Sequence, residues 1–202
     1  MSVIRSTLAR WLASCSFLLV AVQGLADSEV TLYYGAANFQ PWVSAVQSHS
    51  TIDFVGFAPG TFITDQYSGL GAAFNPFVNP YIVQQPDPWL FPQDTYGIDG
   101  NGKVRIDFAA PINAIAAHGP GSSRFLLYSQ GNLVCVTNWW LGSQNGFAGI
   151  TTSFTFDRVV FDTPNPEAEV YLDNVYFSTI PAPSAAAAAL LLSIGVQRRR
   201  RR

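Results

Sequence analysis

Glu167, Glu169, Tyr171 and Asp173 fall at two-residue intervals late in the chain. On a β-strand that spacing puts all four side chains on one face. Paired carboxylates on one face are the acid and base that a glycoside hydrolase uses. The plainer expectation is a solvated strand face. Asp99-Gly100-Asn101-Gly102-Lys103 opens like a calcium-binding loop, but Ala110 stands where the closing glutamate belongs, so a turn is expected. His118 lies near Ser122 and Ser123, yet no Gly-x-Ser-x-Gly elbow occurs to activate a serine. The other histidine, His49, sits in a polar stretch. So few imidazoles and thiols make a transition-metal site unexpected, and no phosphate-binding glycine loop is present.

The aromatic residues are the better functional pointer. Trp139 and Trp140 lead into Leu141-Gly142-Ser143-Gln144-Asn145-Gly146, and Trp89 stands between Pro88 and Leu90 in a second expected loop. Exposed indole faces stack on sugar rings while amides bond hydroxyls. Trp89, Trp139, Trp140 and Asn145 are therefore candidate carbohydrate-binding residues. The competing reading sends the two adjacent tryptophans to opposite faces, at least one of them into the core.

Residues 27–180 make one domain's worth of chain. They hold four basic residues, Lys103, Arg105, Arg124 and Arg158, against all 13 acidic ones, a formal charge of −9. An acidic body argues against a nucleic-acid partner, which needs clustered Lys and Arg, and is compatible with neutral sugars or cations. Cys135 is the one cysteine in this stretch and is expected to serve as a small apolar side chain rather than a reactive thiol.

No segment of the body longer than 14 residues lacks both Gly and Pro, which leaves little room for long helices. Lys103 to Phe108 alternates, with Val104, Ile106 and Phe108 on one face and Lys103, Arg105 and Asp107 on the other. The preceding Asp99-Gly100-Asn101-Gly102 reads as a hairpin turn. Further strands are expected at Thr31–Tyr34, Ile52–Phe57, Ile112–His118, Arg124–Tyr128, Asn132–Thr137, Ala148–Thr151, Phe154–Phe161 and Glu169–Phe177, and a long surface loop over Tyr81–Gly97. The pattern predicts an all-β fold, a single antiparallel β-sandwich.

The two ends read as addresses. Arg5 and Arg10, the apolar run Trp11–Val22 and the small residues of Gly24-Leu25-Ala26 predict a signal peptide over residues 1–26, cleaved before Asp27. Leu12-Ala13-Ser14-Cys15 matches a lipoprotein box literally, but most of the apolar run follows the cysteine instead of preceding it. Residues 181–202 join Pro181-Ala182-Pro183-Ser184, an uncharged run over Ala185–Val196, and Arg198, Arg199, Arg200, Arg201 and Arg202. That run is 12 residues long, about 18 Å as a helix against a hydrocarbon core of about 30 Å, so it would hold in a bilayer only weakly. The arginines would stay on the cytoplasmic side.

This three-part order resembles the PEP-CTERM sorting signal in its Pro-Ala-Pro variant, with alanine in place of the usual glutamate and an alanine-heavy run. The resemblance implies passage through the export translocon, a transient membrane anchor, and processing by an exosortase, a membrane cysteine transpeptidase of bacteria that make exopolysaccharide. A simple C-terminal tail anchor is the alternative.

Ile52 to Thr61, Gln66 to Phe74, Val104 to Ile115, and Phe156–Phe161 leading to Tyr171–Phe177 resemble, more loosely, the secreted jelly-roll domains of this sorting class. That likeness implies a lectin-like sandwich with no assigned activity. Asp173 would close its end strand, where carboxylates with Asp53 as a partner would hold a structural calcium ion. No other cofactor is expected. The sequence thus predicts a non-enzymatic exported protein of the cell envelope or exopolysaccharide matrix with weak carbohydrate binding. The alternatives are a self-associating matrix protein and a polysaccharide-active glycoside hydrolase.

Overall fold

Two long antiparallel strands, β7 (Lys103–His118) and β11 (Phe147–Asp162), organise the chain. They appear in a computed structural model that describes residues 29–179, apart from 78, 88–89, 91–95, 101, 120–121, 138, 141–145 and 164–168. The segments expected to be a signal peptide (1–26) and a sorting signal (181–202) lie outside the described residues. No described helix is long and apolar enough to cross a membrane.

The sequence reading divided each long strand in two. In the structure each half continues into the next through a bend with irregular pairing. Pro111 lies within β7, and the register against β11 shifts between Thr151 and Phe156 and again between Phe156 and Arg158. Proline cannot donate to a ladder, so a bulge is where a strand accommodates it. Thr152 Oγ1 donates within this irregular stretch to the carbonyls of Asn113 (3.2 Å) and Phe154 (2.6 Å).

Because the pair bends, its two ends take different neighbours. At one end β11 pairs with β8 (Ser122–Ser129), which carries β9 (Asn132–Val136) and β10 (Trp139–Trp140), while β7 pairs with β4 (Ala72–Phe74). At the other end β11 pairs with β1 (Val30–Tyr34), and β7 pairs with β13 (Val175–Ser178), which carries β2 (Ser50–Ile52). A smaller sheet runs β12 (Tyr171–Leu172), β6 (Gly97–Asp99), β5 (Tyr81–Gln84), β3 (Phe62–Ile63). Every described pairing is antiparallel, so the fold is all-β and sandwich-like as expected.

The main core lies between the sheets. Val104, Ile106 and Phe108 of β7 join Phe125, Leu127, Val159 and Phe161 from the large sheet, and Val83, Ile98 and Leu172 from the small one. The alternation of Lys103–Phe108 therefore has the predicted sense.

Several local expectations are corrected. The Asp99–Gly102 turn does not close a hairpin, because β6 pairs with β5 and β12 while β7 belongs to the other sheet. Its turn hydrogen bond, Lys103 N–H to the Gly100 carbonyl at 3.0 Å, carries the chain from one layer to the next. The loop foreseen over Tyr81–Gly97 begins with β5. The strand foreseen over Ile52–Phe57 stops at Ile52, because Phe54 adopts a left-handed φ of 57°. That conformation costs about 1–2 kcal/mol, and complete burial of the ring against Phe74 and Tyr67 offsets it. The last expected strand breaks at Asp173 into β12 and β13.

One helix, α1 (Phe39–Val46), was missed. It covers the opposite side of the large sheet, where Trp42 and Val46 pack on Ala114, Ala116, Phe147 and Tyr176. Hence Ala114 and Ala116 are as buried as Ile115 and Ala117 on the other face. Close approach of the helix depends on Gly149, where an added Cβ would stand 2.6 Å from Trp42 Cδ1. Gly149→Ala is expected to destabilise the fold by about 1–3 kcal/mol through overpacking. A thermal melt should show a transition several degrees lower, and an unchanged melting temperature would contradict this packing.

Candidate functional site

A groove of about 380 Å³ opens where the bend of β7 meets β2 and β13. Ser48, His49 and Ser50 line one side, the bend residues Phe108 to Ala110 and Ile112 another, and Phe177 to Thr179 a third. Each part has a local origin. The β7 bend displaces Ala109 and Ala110 outward, the first residues of β2 pair with the end of β13, and Ser178 Oγ donates to the Ser48 carbonyl. The floor is the tilted Phe108–Phe177 pair, centroids 5.0 Å apart, and Leu70 stands exposed at the rim. The described lining offers hydroxyls, one imidazole and apolar carbon, and its chemistry is that of binding a small polar molecule with an apolar face. Nδ1 of His49 is buried without a hydrogen-bond partner among the described residues. No signal in the sequence joined His49 to Phe108 and Phe177, since only the β2–β13–β7 pairing brings them together.

Behind the groove, His49 and His118 both pack on Tyr176, at 5.5 and 5.6 Å between centroids. His118 also meets Phe39 and Phe147, and its Nδ1 lies 3.3 Å from the Tyr176 hydroxyl. Burial lowers the His118 imidazole to about 4. Burial, then the charges of Asp173 and Asp53, holds the Tyr176 phenol well above its usual value. His118 is thus an aromatic-cage residue under α1, and the nearby serine Ser123 is itself buried in β8.

Of the carboxylates foreseen on one strand face, Glu169 and Asp173 do not share one. Glu167 lies outside the described residues, Glu169 is exposed and accepts from the Tyr171 hydroxyl, and Asp173 is fully buried at the break between β12 and β13. Asp53 is exposed, and its Oδ1 accepts from the Val55 N–H at 3.2 Å, while Asp173 Oδ1 accepts from Asn174 Nδ2 at 3.1 Å. Among the described residues no group of three or more His, Cys, Asp or Glu side chains assembles to hold a metal ion.

Of the carbohydrate candidates, Trp89 and Asn145 lie outside the described residues, as do Pro181, Ala182, Pro183, Ser184 and the terminal arginines. Trp139 and Trp140 form β10 on the edge of β8, opposite Ser123 and Ser122. Cys135 packs half-buried against the main core, and that burial raises its thiol pKa. No family model matches the chain, and no curated protein shows significant similarity to it.

The buried imidazole makes stability depend on pH. Between about 6.5 and about 4 the unfolded chain binds a proton at His118 that the folded one refuses. Folding free energy should therefore fall as pH drops through this window, by up to about 3 kcal/mol from this group at 1.36 kcal/mol per pKa unit. Urea midpoints at pH 7 and pH 5 are expected to differ in that direction, and His118→Phe should reduce the difference. An unchanged slope in that variant would mean that His118 titrates alike in the folded and unfolded chain, contrary to its burial.

Proposed function

We propose that the chain is a non-enzymatic exported protein of the bacterial cell envelope or exopolysaccharide matrix, built as one jelly-roll-like sandwich with weak affinity for carbohydrate. Export and handling rest on the two ends: the signal peptide delivers residues 27–180 across the inner membrane, and the Pro181–Arg202 segment anchors the chain until an exosortase cuts it. The observation that carries the binding half of this reading is the groove, whose described lining sets Ser48, His49 and Ser50 above a phenylalanine floor. Hydroxyls and an imidazole that meet apolar carbon suit a sugar, which presents hydroxyl edges and C–H faces. Trp139 and Trp140, with Trp89 and Asn145, remain the second set of carbohydrate candidates on their residue types alone.

The chain recovered from the envelope is expected to begin near Asp27 and to end close to Pro181–Ser184, as read by intact mass and terminal sequencing. A cytosolic chain with both ends whole would overturn the export reading. On a glycan array, binding should weaken in His49→Ala if the groove is the site, and in Trp139→Ala or Trp140→Ala if the edge strand is. A protein that binds no glycan would sink the carbohydrate reading, and one that releases reducing ends from exopolysaccharide and loses this in Glu169→Gln would sink the non-enzymatic one.

A further inference from the structure

All four basic residues between positions 27 and 180 come together on one sheet face, although they lie far apart in sequence. The register shows how. Asp162 of β11 stands between Lys103 of β7 and Arg124 of β8, and Arg158 stands between Asp107 and Tyr128. Arg105 lies on the same side of β7, between Lys103 and Asp107. The intervening residues Val104, Ile106, Phe125, Leu127, Val159 and Phe161 point into the core, so this face is the outer one.

Among the described residues two carboxylates serve the four cations. Asp162 takes Arg124 Nε at 2.7 Å and Lys103 Nζ at 3.6 Å, and Asp107 takes Arg105 Nε at 2.8 Å and Arg158 Nε, with Asn75 also donating. Asp157 turns away to the Gln130 N–H in the β8–β9 connection. Among the described residues the face therefore carries an excess of two positive charges, on a body whose formal charge is −9. Its arginine side chains stay about one-third exposed, and the Lys103 side chain is 52% exposed, with its Nζ 3.6 Å from Asp162 and 6.0 Å from the Phe77 ring centroid.

We propose that this face binds an anionic polysaccharide, a chain of uronate-type sugars. Charge complementarity selects an anion, and the surroundings select its kind. A duplex carries a negative charge about every 1.7 Å, and a lipid surface presents a continuous negative plane. Either would press against the strongly acidic remainder of the body. A polyuronate carries one carboxylate per sugar and can lay a few of them along cations that alternate at about 6.6 Å on a strand. Beside the charged rows, Leu133 and Val136 of β9 are each half exposed and stand opposite Tyr128 and Leu126, an apolar margin for the C–H faces of the rings. The face is separate from the groove, so either can fail without the other.

The test measures binding of the purified full chain to immobilised polygalacturonate, with neutral dextran as control. Retention on polygalacturonate alone is expected, falling about tenfold between about 50 and 200 mM salt. Lys103→Glu should weaken it about tenfold with an unchanged circular dichroism spectrum. Arg124→Gln is the second variant, checked for folding because it strips a partner from Asp162. No retention, retention indifferent to salt or to Lys103→Glu, or equal binding to duplex DNA or anionic vesicles would overturn the proposal. So would light scattering that shows a dimer which Lys103→Glu dissociates, since the acidic partner would then be a second copy.

Discussion

The antiparallel ladder between β7 and β11 is the constraint on which the remaining structure depends. These strands are the spine of the large sheet, and each exchanges neighbours at its bend. Pro111 lies at the exchange, in the surplus stretch 108–111 of β7 that stands against a single residue of β11, where a residue without an N–H leaves no ladder position unfilled. On one side of the bend the outer face is solvated and charged. On the other it is covered by α1, and the strands are buried on both sides. A single straight ladder would have given both halves the same neighbours and the same exposure.

The groove and the charged face are consequences of that bend. The groove lies where β7 turns outward at Ala109 and Ala110, leaving a space that β2 and β13 flank without filling. The charged face lies on the segment before the bend, where clean alternation sends every second residue outward. There the protein concentrates cations around two carboxylates. Burial raises the Asp107 carboxyl, and hydrogen bonds from Arg105, Arg158 and Asn75 outweigh it, so its pKa lies below the ordinary value. Asp162 is nearly inaccessible, at 4% side-chain exposure, and holds Arg124 and Lys103 beside it. Partly buried pairs of this kind add little net stability, because desolvation cancels much of their attraction. What they do is hold the side chains in place, and so set where the surplus positive charge sits.

Some of this was legible in the residues and was read. Lys103–Phe108 alternates, and its inward face is the core. The Gly and Pro spacing excluded long helices. Other signals were present but unread. Phe39, Trp42, Val43 and Val46 repeat at the i, i+3, i+4, i+7 spacing of an amphipathic helix, with Pro41 in the first turn where it is tolerated. The run Ala114, Ile115, Ala116, Ala117 is apolar on both strand faces, which marks a strand covered from both sides. The Asp99–Gly102 turn shows the limit from the other direction, because its chemistry predicts a reversal of the chain but says nothing about whether the next strand joins the same sheet.

The residues alone determined the strand-rich class and the acid excess of residues 27–180, because composition and period-2 patterning act over a few neighbours. Only the tertiary structure decided that Lys103, Arg105, Arg124 and Arg158 share a face, that His49 meets Phe108 and Phe177, and that Glu169 and Asp173 part company. Each of these depends on which strand pairs with which, and in what register. Those choices are made by burying Phe, Val and Ile side chains from distant segments in one core, and no local pattern encodes them.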